Sequence, residues 1–279
     1  MGKVRNVKLI LISITLLLSL YPQGKTDAKY RDTADSTFKN QILETVVQIR
    51  AYALSPNSGL DDQGQVQINA GGDPERVIEI EYSVAKGLGT LVSTGNERVI
   101  VTHNHWGDML AEMSFVRFFS ANGDLLLQIE SDEFRNLIRY QDNGTLVLRA
   151  PEGLNFILSA SDADIPIHEK IISTDSANPG TPKEGNIVLF THPKSGEEDK
   201  VEVLEGYVES TGAFEGVAIF KVRVLNGSII RNGNSGGGVW FKGHFIGNVW
   251  ATEVKREWSW QRFQFEESLT NLSYIAPLP

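Results

Sequence analysis

Along most of the chain, apolar residues recur at every second position in short runs, and turn residues separate the runs. That spacing puts one face of a pleated strand on a core and the other in water, the pattern of antiparallel sheet and not of βαβ units. It predicts strands over Thr45 to Ile49, Val77 to Tyr82, Gly89 to Ser93, Arg98 to Thr102, Phe115 to Ser120, Leu125 to Ile129, Thr145 to Leu148, Ile187 to Thr191, Val201 to Glu209, Ala218 to Val224, Gly237 to Trp240 and Phe245 to Val249. Twelve short strands suit two barrels. Asn122-Gly123-Asp124 and Lys242-Gly243-His244 sit between such runs as hairpin turns. Residues 55 to 75, polar and rich in Pro, Asp and Gly, predict a surface loop. Over residues 36 to 54 two readings compete: Ser36 or Thr37 can cap a helix, whereas Thr45-Val46-Val47-Gln48-Ile49 reads as a strand. The strand takes the second half. From Glu253 onward Trp258, Trp260, Phe263 and Phe265 mix with charges at no clean period, which predicts a closing helix or strand packed on the body.

The segment from Met1 to Ala28 is set apart by composition. Lys3, Arg5 and Lys8 precede an apolar run of 12 residues from Leu9 to Leu20, Tyr21-Pro22 ends it, and Thr26-Asp27-Ala28 offers small residues for cleavage. The run is shorter than the roughly 20 residues a membrane helix needs, so it predicts an export signal and a chain free of the membrane after cleavage. Loss of residues 1 to 28 leaves 22 Lys+Arg against 34 Asp+Glu, a formal charge of −12. Such a surface repels nucleic acid and anionic lipid. The chain has no cysteine, which excludes thiol catalysis and cysteine–zinc sites. Together these features predict a bacterial secreted or periplasmic protein with one domain over residues 29 to 279.

Chemistry concentrates in two segments. In Gly233-Asn234-Ser235-Gly236-Gly237-Gly238 a serine lies among glycines, a composition costly in entropy unless the backbone must enter conformations closed to other residues. A nucleophile elbow makes that demand; a plain glycine-rich turn is the alternative. The N–H groups of Gly233 and Ser235 would then converge as an oxyanion hole, where one donor is worth ~3 kcal/mol of barrier. The second segment is the β run Val99 to Thr102, which ends in His103-Asn104-His105-Trp106, far upstream of the serine. A serine needs a base, and histidine is the side chain effective near neutrality.

With histidine first and serine late, the sequence resembles the trypsin-like (chymotrypsin-fold) serine peptidases, in which a strand ends in Thr-Ala-Ala-His and the nucleophile lies in Gly-Asp-Ser-Gly-Gly-Pro. Thr102-His103-Asn104-His105 takes the place of the first motif, so the resemblance puts the base at His105 and not His103. The small-residue strand Gly87 to Ser93 and the segment Gly185-Asn186-Ile187-Val188 leading to His192-Pro193 are also similar to the family, above all to its bacterial branch. Asn234 replaces the aspartate that captures a new N-terminus in animal members, and Gly238 replaces the usual proline.

The resemblance implies an all-β fold of two antiparallel six-stranded β-barrels meeting near residues 165 to 185, with the active site in the cleft between them. It implies an exported endopeptidase acting on polypeptide substrates, with no cofactor and no metal. A third residue should orient His105; by resemblance it precedes the strand Thr145 to Arg149, where Asp142 and Asn143 both stand as candidates. The specificity pocket is expected around Ile229, Ile230, Asn232, Ala251 and Thr252. Two other readings remain. His103 and His105 share one face of a strand and could begin a zinc site, for which His168, His192 or His244 would have to supply a third ligand. A binding protein that keeps the fold without turnover is the other.

Overall fold

The computed structural model describes residues 36–56, 79–93, 97–142, 144–154, 182–197, 199–214, 216–225, 230, 233–259, 262 and 264–278. The signal predicted over residues 1–28, most of the loop predicted over 55–75, nearly all of the barrel boundary, and Asn143, His168, Ile229 and Asn232 lie outside them. Residues 35–279 form one compact unit.

That unit begins with helix α1 (Ser36–Glu44) and strand β1 (Val46–Pro56), so both readings of residues 36 to 54 hold, one after the other. A first sheet adds β2 (Glu79–Ser93), β3 (Arg98–Thr102), β4 (Phe115–Phe119), β5 (Leu125–Glu130), β6 (Ile138–Gln141) and β7 (Leu146–Arg149) in the order β5-β4-β1-β2-β3-β7-β6. The one-turn helix α2 (His105–Asp108) follows β3, and α3 (Ser131–Asn136) follows β5. The second sheet closes on itself as β10-β13-β12-β11-β8-β9, from β8 (Ile187–Pro193), β9 (Val201–Phe214), β10 (Val217–Val224), β11 (Gly238–Phe241), β12 (His244–Ser259) and β13 (Gln264–Pro277). Adjacent described strands pair antiparallel throughout, and the all-β class predicted from the period-2 pattern is the one observed.

The first sheet has seven strands where six were expected. The extra one, β6, is the four-residue Ile138-Arg139-Tyr140-Gln141, half-buried at one residue and exposed at three, too short and polar for a periodic signal. Two predicted strands, Val77 to Tyr82 and Gly89 to Ser93, are one, because β1 offers β2 a partner at nearly every position across a bulge at Ala51/Tyr52. The C-terminal aromatic segment is β13, whose outer half pairs only with β12, Trp258 opposite Phe265. A two-stranded ribbon outside the body buries neither face, so no period marks it. Both predicted hairpin turns are present, and Lys242 (φ 50°) and Gly243 (φ 80°) take the paired left-handed conformations that suit a two-residue hairpin.

Each sheet wraps its own core. Val47, Ile49, Ile100, Phe118, Phe134 and Leu148 are buried in the first, and Phe190, Val208, Val222, Val249 and Ile275 in the second. Each such side chain contributes about 1.5–3 kcal/mol relative to its exposed state. Between the cores runs a seam of buried polar residues that includes Thr90, Thr102, His103, Thr145, Asn234 and Asn248. Asn248 on β12 ties the sheets together: its Oδ1 accepts from Thr145 Oγ1 at 2.8 Å, and its Nδ2 donates to the Gly144 carbonyl at 3.1 Å. Asn248→Ala leaves both partners unsatisfied and is expected to lower the unfolding free energy by about 2–3 kcal/mol in urea titration. A loss below ~0.5 kcal/mol, the size of an indifferent surface substitution, would show that the seam does not hold the sheets.

Candidate active site

Ser235 stands on the turn between residue 233 and β11. Gly233 (φ 92°) and Gly236 (φ 83°) take left-handed conformations that side chains with a Cβ rarely enter, so the chain reverses twice within four residues and lifts Ser235 out. Gly236 also sits so close to the first sheet that a Cβ there would collide with the Leu88 carbonyl and the Thr102 hydroxyl. The turn is pinned from both sides. The Leu88 N–H donates to the Ser235 carbonyl at 2.8 Å, the Gly236 N–H to Val249 at 2.8 Å, and the Gly237 N–H to Asn234 at 2.9 Å. The N–H groups of Gly233 and Ser235 donate to no carbonyl among the described residues.

His105 opens α2, immediately beyond the end of β3. Trp106 anchors that helix: its ring is buried in the first core beside Phe134, and its Nε1–H donates to Thr102 Oγ1 at 3.1 Å, while the Thr102 hydroxyl donates to the Leu88 carbonyl at 2.6 Å. With Trp106 fixed inward, His105 turns to the cleft. There it shares a cavity of about 500 Å³ with Gly233, Asn234, Ser235, Trp250, Ala251 and Thr252. Partial burial lowers the His105 pKa below its ordinary value of 6.5, opposed by the Asp108 charge at the end of α2.

The predicted residues are thus divided. His105, Ser235, Gly233, Ala251 and Thr252 meet at one cavity. Ile230 instead packs into the second core, its N–H donating to the Thr270 carbonyl at 3.1 Å. The structure does not bring Asp142 to His105. One carboxylate oxygen accepts from the Gly144 and Thr145 N–H groups at 2.8 and 2.6 Å, and the other from the Tyr140 hydroxyl at 3.1 Å, which makes it a turn aspartate. The cavity also takes in Phe214, Val254 and Leu269 from the outer ends of β9, β12 and β13, a contribution with no local signal because three distant segments supply it. Phe214 stacks on Tyr274 at 5.0 Å and meets Trp250 edge-on at 5.6 Å.

His103 is buried, and its Nδ1 accepts the His105 backbone N–H at 2.9 Å. The two imidazoles lie 3.6 Å apart between centroids. No cluster of three metal-ligating side chains is present among the described residues. Burial, then the neighbouring His105, push the His103 pKa down to about 3, against a smaller opposing effect of the Trp250 carbonyl.

No family model matches the sequence, and no curated protein matches it. The structure is similar to that of the HtrA-type protease AlgW solved with a decapeptide, with a TM-score of 0.50 and 14% identity over 86% of this chain and 62% of that one. This chain therefore spans less than two thirds of that protein's length. It is also similar to the active form of the Rv3671c protease from M. tuberculosis, with a TM-score of 0.44 and 14% identity over 87% of this chain and 82% of that one. With the likeness to AlgW, the two sheets define a class: this chain has the chymotrypsin-like fold of the serine peptidases.

The buried His103 has a consequence for stability. Folded, it stays neutral down to a pH of about 3, whereas unfolded it binds a proton near 6.5, so the unfolded chain holds more protons between these values. Stability from this residue is therefore complete above pH 6.5 and falls on acidification through that window, at ~1.4 kcal/mol per pH unit. His103→Asn should flatten the slope of unfolding free energy between pH 6.5 and 4; an unchanged slope would contradict the assignment.

Proposed function

We propose that this protein is an exported serine endopeptidase in which Ser235 is the nucleophile and His105 the general base. The observation that carries the reading is the shared cavity, lined by a histidine from the first sheet and a serine from the second together with Gly233, where the N–H groups of Gly233 and Ser235 donate to no carbonyl among the described residues. Ser235 attacks the scissile carbonyl while His105 takes the hydroxyl proton and returns it to the leaving amine. The N–H groups of Gly233 and Ser235 hold the oxyanion of the tetrahedral intermediate. Trp250, Ala251 and Thr252 line the substrate side, and Phe214, Val254 and Leu269 make much of that wall apolar. Asn234 beneath the elbow carries no charge for an N-terminal ammonium, so activity needs no freshly cut N-terminus.

One observation favours a second reading, a binding protein that keeps the fold without turnover: among the described residues no carboxylate hydrogen-bonds His105. Covalent labelling separates the two. A fluorophosphonate should modify the parent at Ser235 and leave Ser235→Ala untouched, with peptidase activity lost in that variant. Absence of labelling in the folded parent would favour the binding protein. Export is tested by the first residue of the protein recovered from the periplasm or medium, expected at Lys29.

The pH dependence follows from His105. The base must be neutral to accept a proton, and its lowered pKa keeps it neutral to more acidic pH than a free imidazole. The acid limb of kcat/KM is expected below pH 6.5, with activity lost as pH falls through it. A limb above 7 would mean that a carboxylate faces His105 after all.

A further inference from the structure

The role of His103 rests on the serine-peptidase reading, under which His105 needs a neighbour that fixes its ring. Without one, the rotamer and tautomer that present a free nitrogen to Ser235 are two states among several. The acidic residue expected there is spent on its own turn, with both Asp142 carboxylate oxygens engaged by Gly144, Thr145 and Tyr140. The carboxylate that acts on His105 by charge is Asp108, at the other end of the same short helix.

We infer that His103 is the positioning residue of this site: it holds the base through the His105 backbone amide and through ring contact. Three observations converge on it. Its Nδ1 accepts the N–H of His105 itself, which fixes the point from which that side chain departs. Its ring lies 3.6 Å from the His105 ring at a tilt of 48°, close enough to exclude the rotamers that would fold His105 back onto β3. Its other nitrogen, Nε2, is buried with no well-formed hydrogen bond among the described residues, and the Trp250 backbone of β12 acts on the ring as an acceptor. Because Nδ1 is the acceptor, the proton must sit on Nε2, so the ring is a neutral, single-tautomer wedge between α2 and the second sheet. The groups acting on it are the His105 ring and the Trp250 carbonyl, and neither would hold a proton on Nδ1.

A neutral wedge supplies geometry and no countercharge. The imidazolium that forms on His105 as Ser235 attacks has the charge of Asp108 at the end of α2 and no hydrogen-bonded carboxylate among the described residues, so this enzyme has ordinary substrate binding and a low kcat. In the family motif a small residue follows the threonine that Thr102 matches, and an imidazole at that position carries a new role.

Three variants and a labelling control test the assignment. In His103→Asn the amide Oδ1 stands where Nδ1 stood and still accepts the His105 N–H, so kcat should stay within about fivefold of the parent. His103→Leu fills similar volume without an acceptor, and kcat should fall by roughly 100-fold with KM within twofold. His103→Asp puts a carboxylate beside the base, and the acid limb of kcat/KM should move up by one pH unit or more. A folded His103→Leu that keeps kcat within threefold of the parent would overturn the inference, and so would an acid limb unmoved in His103→Asp. If His103→Leu fails to fold, the His103→Asp limb and the kcat of His103→Asn decide. Fluorophosphonate labelling of the parent separates the two levels: a parent that labels at Ser235 while the variants behave as neutral replacements sinks the role of His103 alone, and a parent that does not label sinks the peptidase reading and this inference with it.

Discussion

The structure turns on one contact, the docking of the serine turn against the end of β2 and β3. A single backbone bond, from the Leu88 N–H to the Ser235 carbonyl at 2.8 Å, ties Ser235 to the first sheet. Gly236 is seated against the Leu88 carbonyl and the Thr102 hydroxyl with no room for a methyl group. The same Thr102 hydroxyl accepts the Trp106 indole N–H, and Trp106 adjoins His105 in the chain. One threonine therefore references both halves of the candidate site to the same point in space. A relative shift of the sheets by an ångström would break the turn's seat and move Ser235 from His105, which is why the seam and the candidate site stand or fall together.

The seam is polar where an apolar interface would be more stabilising. Thr90, Thr102, His103, Thr145, Asn234 and Asn248 are buried there, and burying such groups costs energy unless each finds a partner. Asn248 and Thr145 satisfy one another across it. Thr90 Oγ1, His103 Nε2 and Asn234 Nδ2 have no hydrogen-bond partner among the described residues. Charge is sparse here: Asn234 beside Ser235 is uncharged, His103 is neutral, and the carboxylate that acts on His105 by charge is Asp108.

Much of the frame was legible from local pattern. Period-2 runs located eleven of the thirteen described strands, although two predicted runs merged into β2 and several ends moved by a few residues. β6 is four residues with three exposed, and the outer parts of β12 and β13 form a ribbon with solvent on both faces, so no face had to be apolar there. The pattern leaves the inner half of β13, buried at Leu272, Ile275 and Ala276, open between helix and strand. The Gly-Asn-Ser-Gly-Gly turn and the Thr-x-x-His strand end were legible because their chemistry is local: conformation at the turn and exit direction at the strand end are set by residues within a few positions.

By itself, then, the sequence determined the all-β class, the serine turn, the histidine that follows β3, and the neutrality beneath the elbow. Each depends on composition and spacing over a short stretch of chain. Only the tertiary structure decided that Asp142 serves its own turn, that Ile230 belongs to a core, that Phe214 and Leu269 reach the cleft, and that His103 lies under His105. Those are relations between segments far apart in the chain or choices between two hydrogen-bond partners for one side chain. A linear pattern names the groups a side chain can bond; which one it meets is settled by the packing of the two sheets.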